Sequence, residues 1–212
     1  MKAVSEVERT TGAEAVVKIL ERAIEVIAEG GETAIRTNPI AYECGTTPPV
    51  LYRAFGSREG LVIAAQSERY RRSIADIIEF LAARFEVTTS SEDLKRSLRL
   101  AVNAAFDPAR SNARQVRAEV LGAAVSRPEL RAAVVAVDRT LITRLEASLA
   151  HGVAAGWLVG GSRLRAVLMW SMGATNGRLS VEFDPEADYS REWNDVAREG
   201  FVHALFDALF PD

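Results

Sequence analysis

A chain of 212 residues with 48% hydrophobic and 26% charged residues can bury a sizeable core and is neither disordered nor fibrous in composition. Its formal net charge of −3 excludes a globally basic nucleic-acid binder, so any basic surface must be local. The single cysteine, Cys44, excludes an intrachain disulfide framework, and no apolar run reaches leader or membrane length, so the expectation is a soluble cytoplasmic protein.

Helical periodicity dominates and strand patterns are almost absent. In AEAVVKILERAIEVIAEGG, Val16, Ile19, Leu20, Ala23 and Ile27 share one face, and Gly30-Gly31 supplies a stop. In TNPIAYECG, Thr37 or Asn38 can cap a short helix, Pro39 fits its first turn, and Gly45 ends it. TTPPVLYRAFGSREG then predicts a third short helix over 47–55. Pro49 disfavours helical geometry at Pro48, which predicts a start one residue late. Gly56 breaks the chain, and Ser57 caps the next helix with Glu59 favourably placed against its dipole.

From there the scale changes. One long helix is expected over 57–86, followed by a polar break with capping residues at Thr88–Ser91. Further helices are expected over 92–106, 111–126, 128 to about 150, 162–181 and 191–210. The fold class is all-α, with about nine helices: a three-helix head over 10–56 and a larger helical domain over 57–212.

Two short helices joined by a tight glycine turn make a helix-turn-helix pattern, whose second helix enters the major groove. Ile40, Ala41, Val50, Leu51 and Phe55 are the inward positions. Thr46, Thr47, Pro48, Pro49, Tyr52 and Arg53 remain on the outer side. Between residues 33 and 72 six arginines, among them Arg36, Arg53 and Arg58, face three glutamates, a local excess of +3. Arg58 stands in the first turn of a helix, where a cation opposes the dipole; a bound phosphate would resolve that conflict.

TNPIAYECGTTPPVLYRAFGSREGL resembles the signature of TetR-type transcriptional regulators over about residues 15–62. The matching positions are Thr37, Ile40, Ala41, Gly45, Thr47, Leu51, Tyr52, Phe55, Ser57, Arg58, Glu59 and Leu61. Cys44, Thr46, Pro49 and Ala54 depart from the residues usual there, and Ala54 removes a frequent phosphate contact. The resemblance implies binding of double-stranded DNA at a palindromic operator by Arg36, Thr37, Thr46, Thr47, Pro48, Pro49, Tyr52, Arg53, Ser57 and Arg58. It also implies a repressor released by a small, largely apolar effector, and a homodimer formed through the last two helices. Ala166, Trp170, Gly173 and Gly177, with Trp193, Phe201 and Leu205, recur near helical period there. They suit either close helix pairing or an internal core face. The middle helices offer Phe80, Leu98, Val102, Phe106, Leu121 and Leu141 as apolar pocket candidates, with Asn103 and Gln115 as polar handles; core packing is the other reading of each.

No glycine-rich phosphate loop, nucleophile elbow or metal-ligand spacing occurs, and His151 and His203 stand alone, so neither an enzyme nor a cofactor is expected. The competing readings are a helical dimerisation module with a degenerate DNA head and an all-α enzyme.

Overall fold

A computed structural model describes residues 12–184 and 186–211. The expected domain start at residue 10 and most of the N-terminal stretch read as lacking a leader lie outside these residues. Every regular element described is helical. The helices are α1 (Gly12–Gly30), α2 (Thr37–Glu43), α3 (Pro48–Phe55), α4 (Arg58–Glu86), α5 (Ser91–Ala105), α6 (Ser111–Val125), α7 (Pro128–Ala154), α8 (Gly161–Ala174), α9 (Leu179–Glu182) and α10 (Ser190–Leu209). Short 3-10 turns occupy Glu32–Ala34, Pro108–Arg110 and Thr175–Arg178. The chain divides into two compact units after Arg69, and α4 contributes residues to both.

In the first unit, α1 buries Ile19, Ala23 and Ile27 at a four-residue spacing, while Val16 and Leu20 lie half-buried at the margin. They pack with Ile35, Ile40, Ala41, Leu51, Leu61, Val62 and Ala65. Helices of seven and eight residues are marginal alone, so α2 and α3 depend on this cluster for their stability.

In the second unit, the rest of α4 joins α5, α7, α8 and α10 around a core that includes Ile74, Leu98, Leu145, Leu168 and Leu205. Phe106 meets Phe201 edge-on at 5.5 Å, and Trp170 stacks on the same ring at 4.7 Å. The polar break before α5 ends as expected, with the Ser90 hydroxyl accepting from the Asp93 amide at 3.1 Å. α7 runs to Ala154, beyond the expected end near residue 150, before Gly156 turns the chain at φ +74°.

The helix expected over 162–181 is corrected. α8 ends at Ala174, tightens into the 3-10 turn, and resumes as the four-residue α9. The backbone stays right-handed throughout, with φ −62°, ψ −22° at Thr175. Gly173 and Gly177 flank the change and hold a helix weakly. The Thr175 hydroxyl donates to the Met172 carbonyl, three residues back, and favours the tighter winding there.

Candidate functional site

The turn between α2 and α3 is built from backbone hydrogen bonds. The Gly45 amide donates to the Tyr42 carbonyl and the Thr46 amide to the Ala41 carbonyl, each at 3.0 Å, around Gly45 at φ +68°. This is a Schellman ending, and its left-handed residue is cheap only as glycine. α3 begins at Pro48, not one residue later as expected. The Thr47 carbonyl accepts from Val50 at 3.0 Å and Leu51 at 3.3 Å, closing the first turn with both prolines inside it. The first-turn positions have no helical acceptor for their N–H groups, so the prolines forfeit nothing there. Thr47 makes no side-chain cap bond.

Leu51 is fully buried, and Val50 and Phe55 are half-buried beneath α3. On the other side Thr47, Pro49, Tyr52 and Arg53 are exposed, with Thr46 and Pro48 half-buried beside them. The Tyr52 ring is 43% exposed, and its hydroxyl shares a 2.9 Å hydrogen bond with the Thr37 hydroxyl. Thr37 opens α2 with its hydroxyl turned to α3, while Arg36 holds the N-cap position. Tyr42, not among the sequence candidates, is also exposed on α2. Its position just past the inward pair Ile40 and Ala41 was the available signal.

Two of the candidate cations are occupied within the head. Arg36 donates to the Thr33 and Ile35 carbonyls. Arg58 donates from Nε to the Ile35 carbonyl at 3.1 Å and from a terminal nitrogen to the Glu32 carbonyl, clamping the 3-10 turn. Ser57 accepts from the Gly60 amide at 2.9 Å and caps α4 as expected. Glu43 pairs with Arg22 at 2.7 Å. Burial and then the Glu43 charge push the Cys44 thiol above its ordinary value, the opposite of what a thiolate sensor needs.

The second unit contains a partly open cavity of about 100 Å³. Its walls are mostly aliphatic, from α4, α5, α7, α8 and α10. Of the pocket candidates, Leu98 and Val102 line it. Phe106 and Leu141 are buried in the surrounding core, and Leu121 is half-buried on α6. Phe80, Asn103 and Gln115 are exposed and do not line it. Phe201 and Leu205, candidates for a dimer face, line the cavity instead. Trp193 packs on Phe106 at 6.3 Å, while Ala166, Trp170, Gly173 and Gly177 are exposed.

The polar lining is Arg110, Arg117, Ser171 and Thr175. The two hydroxyls donate to the Val167 and Met172 carbonyls of their own segment. Arg110 donates to the Ser73 carbonyl at 3.3 Å. Arg117 is 6% exposed, its buried Nε has no acceptor, and no described residue forms a hydrogen bond or ion pair with it. Burial first, then the like charges of Arg110 and Arg114, push its pKa down to about 10, against opposing contributions from Tyr70 and Glu182. It remains a cation at neutral pH.

Arg114, on the same helix, is fully buried and fully engaged. It donates to Glu182 from Nε and a terminal nitrogen, and to the Ala105 and Asp107 carbonyls at 3.1 and 2.9 Å. Arg178 also pairs with Glu182, at 2.9 Å. None of these arginines was a sequence candidate. The signal was their spacing: residues 110, 114 and 117 follow a helical period, so Arg114 and Arg117 share an inward face of α6, with Arg110 at its N-cap position.

A three-helix head with a glycine-turned helix pair, followed by a larger helical unit, defines an all-α helix-turn-helix protein. Residues 19–65 match the family model described as bacterial regulatory proteins, tetR family, and the N-terminal segment is a TetR-type head. The fold is that of solved TetR-family structures. A Mesorhizobium loti protein assigned to the TetR-family regulators superposes with a TM-score of 0.65 at 16% identity, covering 95% of this chain and 100% of its own. FadR from Bacillus subtilis, solved with stearoyl-CoA, gives 0.54 at 19% identity, covering 88% and 97%. A Saccharomonospora viridis protein assigned as a transcriptional regulator and solved with choline gives 0.56 at 16% identity, covering 94% and 100%. No curated protein matches the sequence.

Proposed function

We propose that the protein is a DNA-binding transcriptional regulator, a homodimeric repressor released from a palindromic operator by a small, largely apolar effector. The observation that carries this reading is the Schellman turn at Gly45. It delivers α3 with Thr47, Pro49, Tyr52 and Arg53 facing outward, in the segment that matches the family model. The two prolines leave the start of α3 without donor N–H groups, so phosphate contacts fall to the hydroxyls of Thr47, Tyr52 and Ser57, while the proline rings suit thymine methyl groups. Arg36 and Arg58 serve first as clamps on the turn before α2, and contribute field as much as direct contact.

A reading helix of eight residues is too short to hold a specific site alone, which favours two copies on half-sites about 34 Å apart or a multiple of that. The exposed Met169 and Trp170 of α8, with Ala166 and Gly173, and the exposed Val196 and Gly200 of α10 are the pairing candidates. The cavity of the second unit is the effector site in this reading. α4 is continuous, so an effector that shifts its residues 70–86 acts on the helix that also supplies residues 58–69 of the head. The effector then favours a conformation whose two reading helices no longer match successive grooves. Solved relatives carrying stearoyl-CoA and choline are consistent with effector binding and show that ligand charge varies within the fold.

The test is selection of bound sequences from random duplex DNA by the purified protein. Enrichment of an inverted repeat supports the reading. No enrichment at low salt would sink it, and would favour the dimerisation module with a degenerate head.

A further inference from the structure

The cavity of the second unit combines an apolar body with one unpaired interior cation. α4 contributes Ile74, Ile77 and Ile78, and α8 contributes Leu168 and Met172, while Arg117 from α6 supplies the charge. A guanidinium has five N–H donors and no acceptor capacity, so only an acceptor can satisfy it. No lining residue bonds it. The Ser171 and Thr175 hydroxyls donate to helix carbonyls of their own segment and, although their oxygens can still accept, neither is hydrogen-bonded to Arg117; Arg110 is another cation. Glu182, a half-buried carboxylate of this unit, bonds Ser111, Arg114 and Arg178. Asp138 accepts from the Tyr70 hydroxyl at 2.8 Å. Neither carboxylate bonds Arg117.

An unpaired buried charge is costly unless a partner arrives. A neutral apolar ligand would fill the cavity and leave Arg117 still unsatisfied. A cationic ligand would add repulsion from Arg110 and Arg117. A monoanion answers the single unpaired guanidinium, and a carboxylate matches its planar fork in two parallel hydrogen bonds. We therefore infer that the effector is an amphipathic monoanion, an aliphatic or alkyl-aryl body ending in one carboxylate that pairs with Arg117. The inference rests on reading the cavity as the effector site.

The experiment is isothermal titration of the full-length protein, without DNA, with decanoate and 4-hexylbenzoate. Each is compared with its alcohol, decanol and 4-hexylbenzyl alcohol, and decanoate also with decyl phosphate. At least one carboxylate is expected to bind tenfold or more tightly than its alcohol, and decanoate more tightly than decyl phosphate. Arg117→Met should remove that preference and leave alcohol binding unchanged or improved; Arg117→Lys should restore part of it. Binding of each alcohol as tight as its acid, tighter binding of decyl phosphate, undiminished carboxylate binding by Arg117→Met, or no binding by either carboxylate would each overturn the inference. The readout involves no DNA, so a failed operator selection is distinguishable from a failure here.

Discussion

The arginines of the head and those of α6 do different things with the same side chain. In the head, Arg36 and Arg58 lie at the surface and spend their donors on the carbonyls of the turn before α2. On α6, Arg114 and Arg117 are both interior and three residues apart, yet only Arg114 has partners. A surface cation without a partner costs little because water and salt screen it. The same vacancy in the interior is expensive, so only there does an unpaired guanidinium point to a missing anion.

The sharpest way to break this comparison is Arg114→Met. It leaves Glu182 with only Arg178 and Ser111 and strips the carbonyls of Ala105 and Asp107 of their donor, so stability should fall by about 1–3 kcal/mol in chemical denaturation. The pH dependence should follow. Burial pushes the Glu182 carboxyl up, but the Arg114 bond and charge, with Ser111 and Arg178, outweigh it and the net shift is down. A depressed carboxylate stabilises above its unfolded value and loses that contribution as pH falls. The wild type should therefore lose stability as pH drops below the ordinary 4.5 and on through the depressed folded value, and Arg114→Met should show less of that loss.

Gly45→Val comes next. A β-branched residue at φ +68° costs about 1–2 kcal/mol and distorts the turn that aims α3. DNA binding measured by fluorescence anisotropy should be lost, while carboxylate titration of the second unit stays unchanged. A parallel loss of both would undo the assignment of separate roles to the two units. Tyr52→Phe is smaller. It removes the exposed bond to Thr37, worth at most about 0.5 kcal/mol of stability, and should weaken binding across all DNA sequences without altering preference among them. Arg58→Ala, which frees two carbonyls of the turn, should likewise reduce affinity broadly and lower its salt dependence only slightly.

The head was legible because its determinants are local. Gly45, Gly56, Ser57 and the apolar spacing of Ile40, Ala41 and Leu51 lie within twenty residues, and each demands one backbone outcome. Even so, the use of Arg36 and Arg58 as clamps was hidden, because backbone acceptors leave no mark in a sequence. The cavity was far less legible. Leu98 and Val102 were placed on it, but Asn103 and Gln115 were chosen as polar handles for their residue type and proved to lie at the surface. The true polar lining came from Arg110 and Arg117, where charge on a helix is ordinarily read as a solvated face. Phe201 and Leu205 had the right period for a buried face, but periodicity does not say which neighbour covers it.

The most direct test of the central claim, that Arg117 is held ready for an absent anion, is thermal unfolding of the wild type and Arg117→Met without ligand and with decanoate. Without ligand, Arg117→Met should melt about 2–4 °C higher, because the uncompensated interior charge is gone. Decanoate should raise the melting temperature of the wild type by clearly more than that of Arg117→Met. An Arg117→Met protein that melts well below the wild type, or that decanoate stabilises equally, would contradict the account.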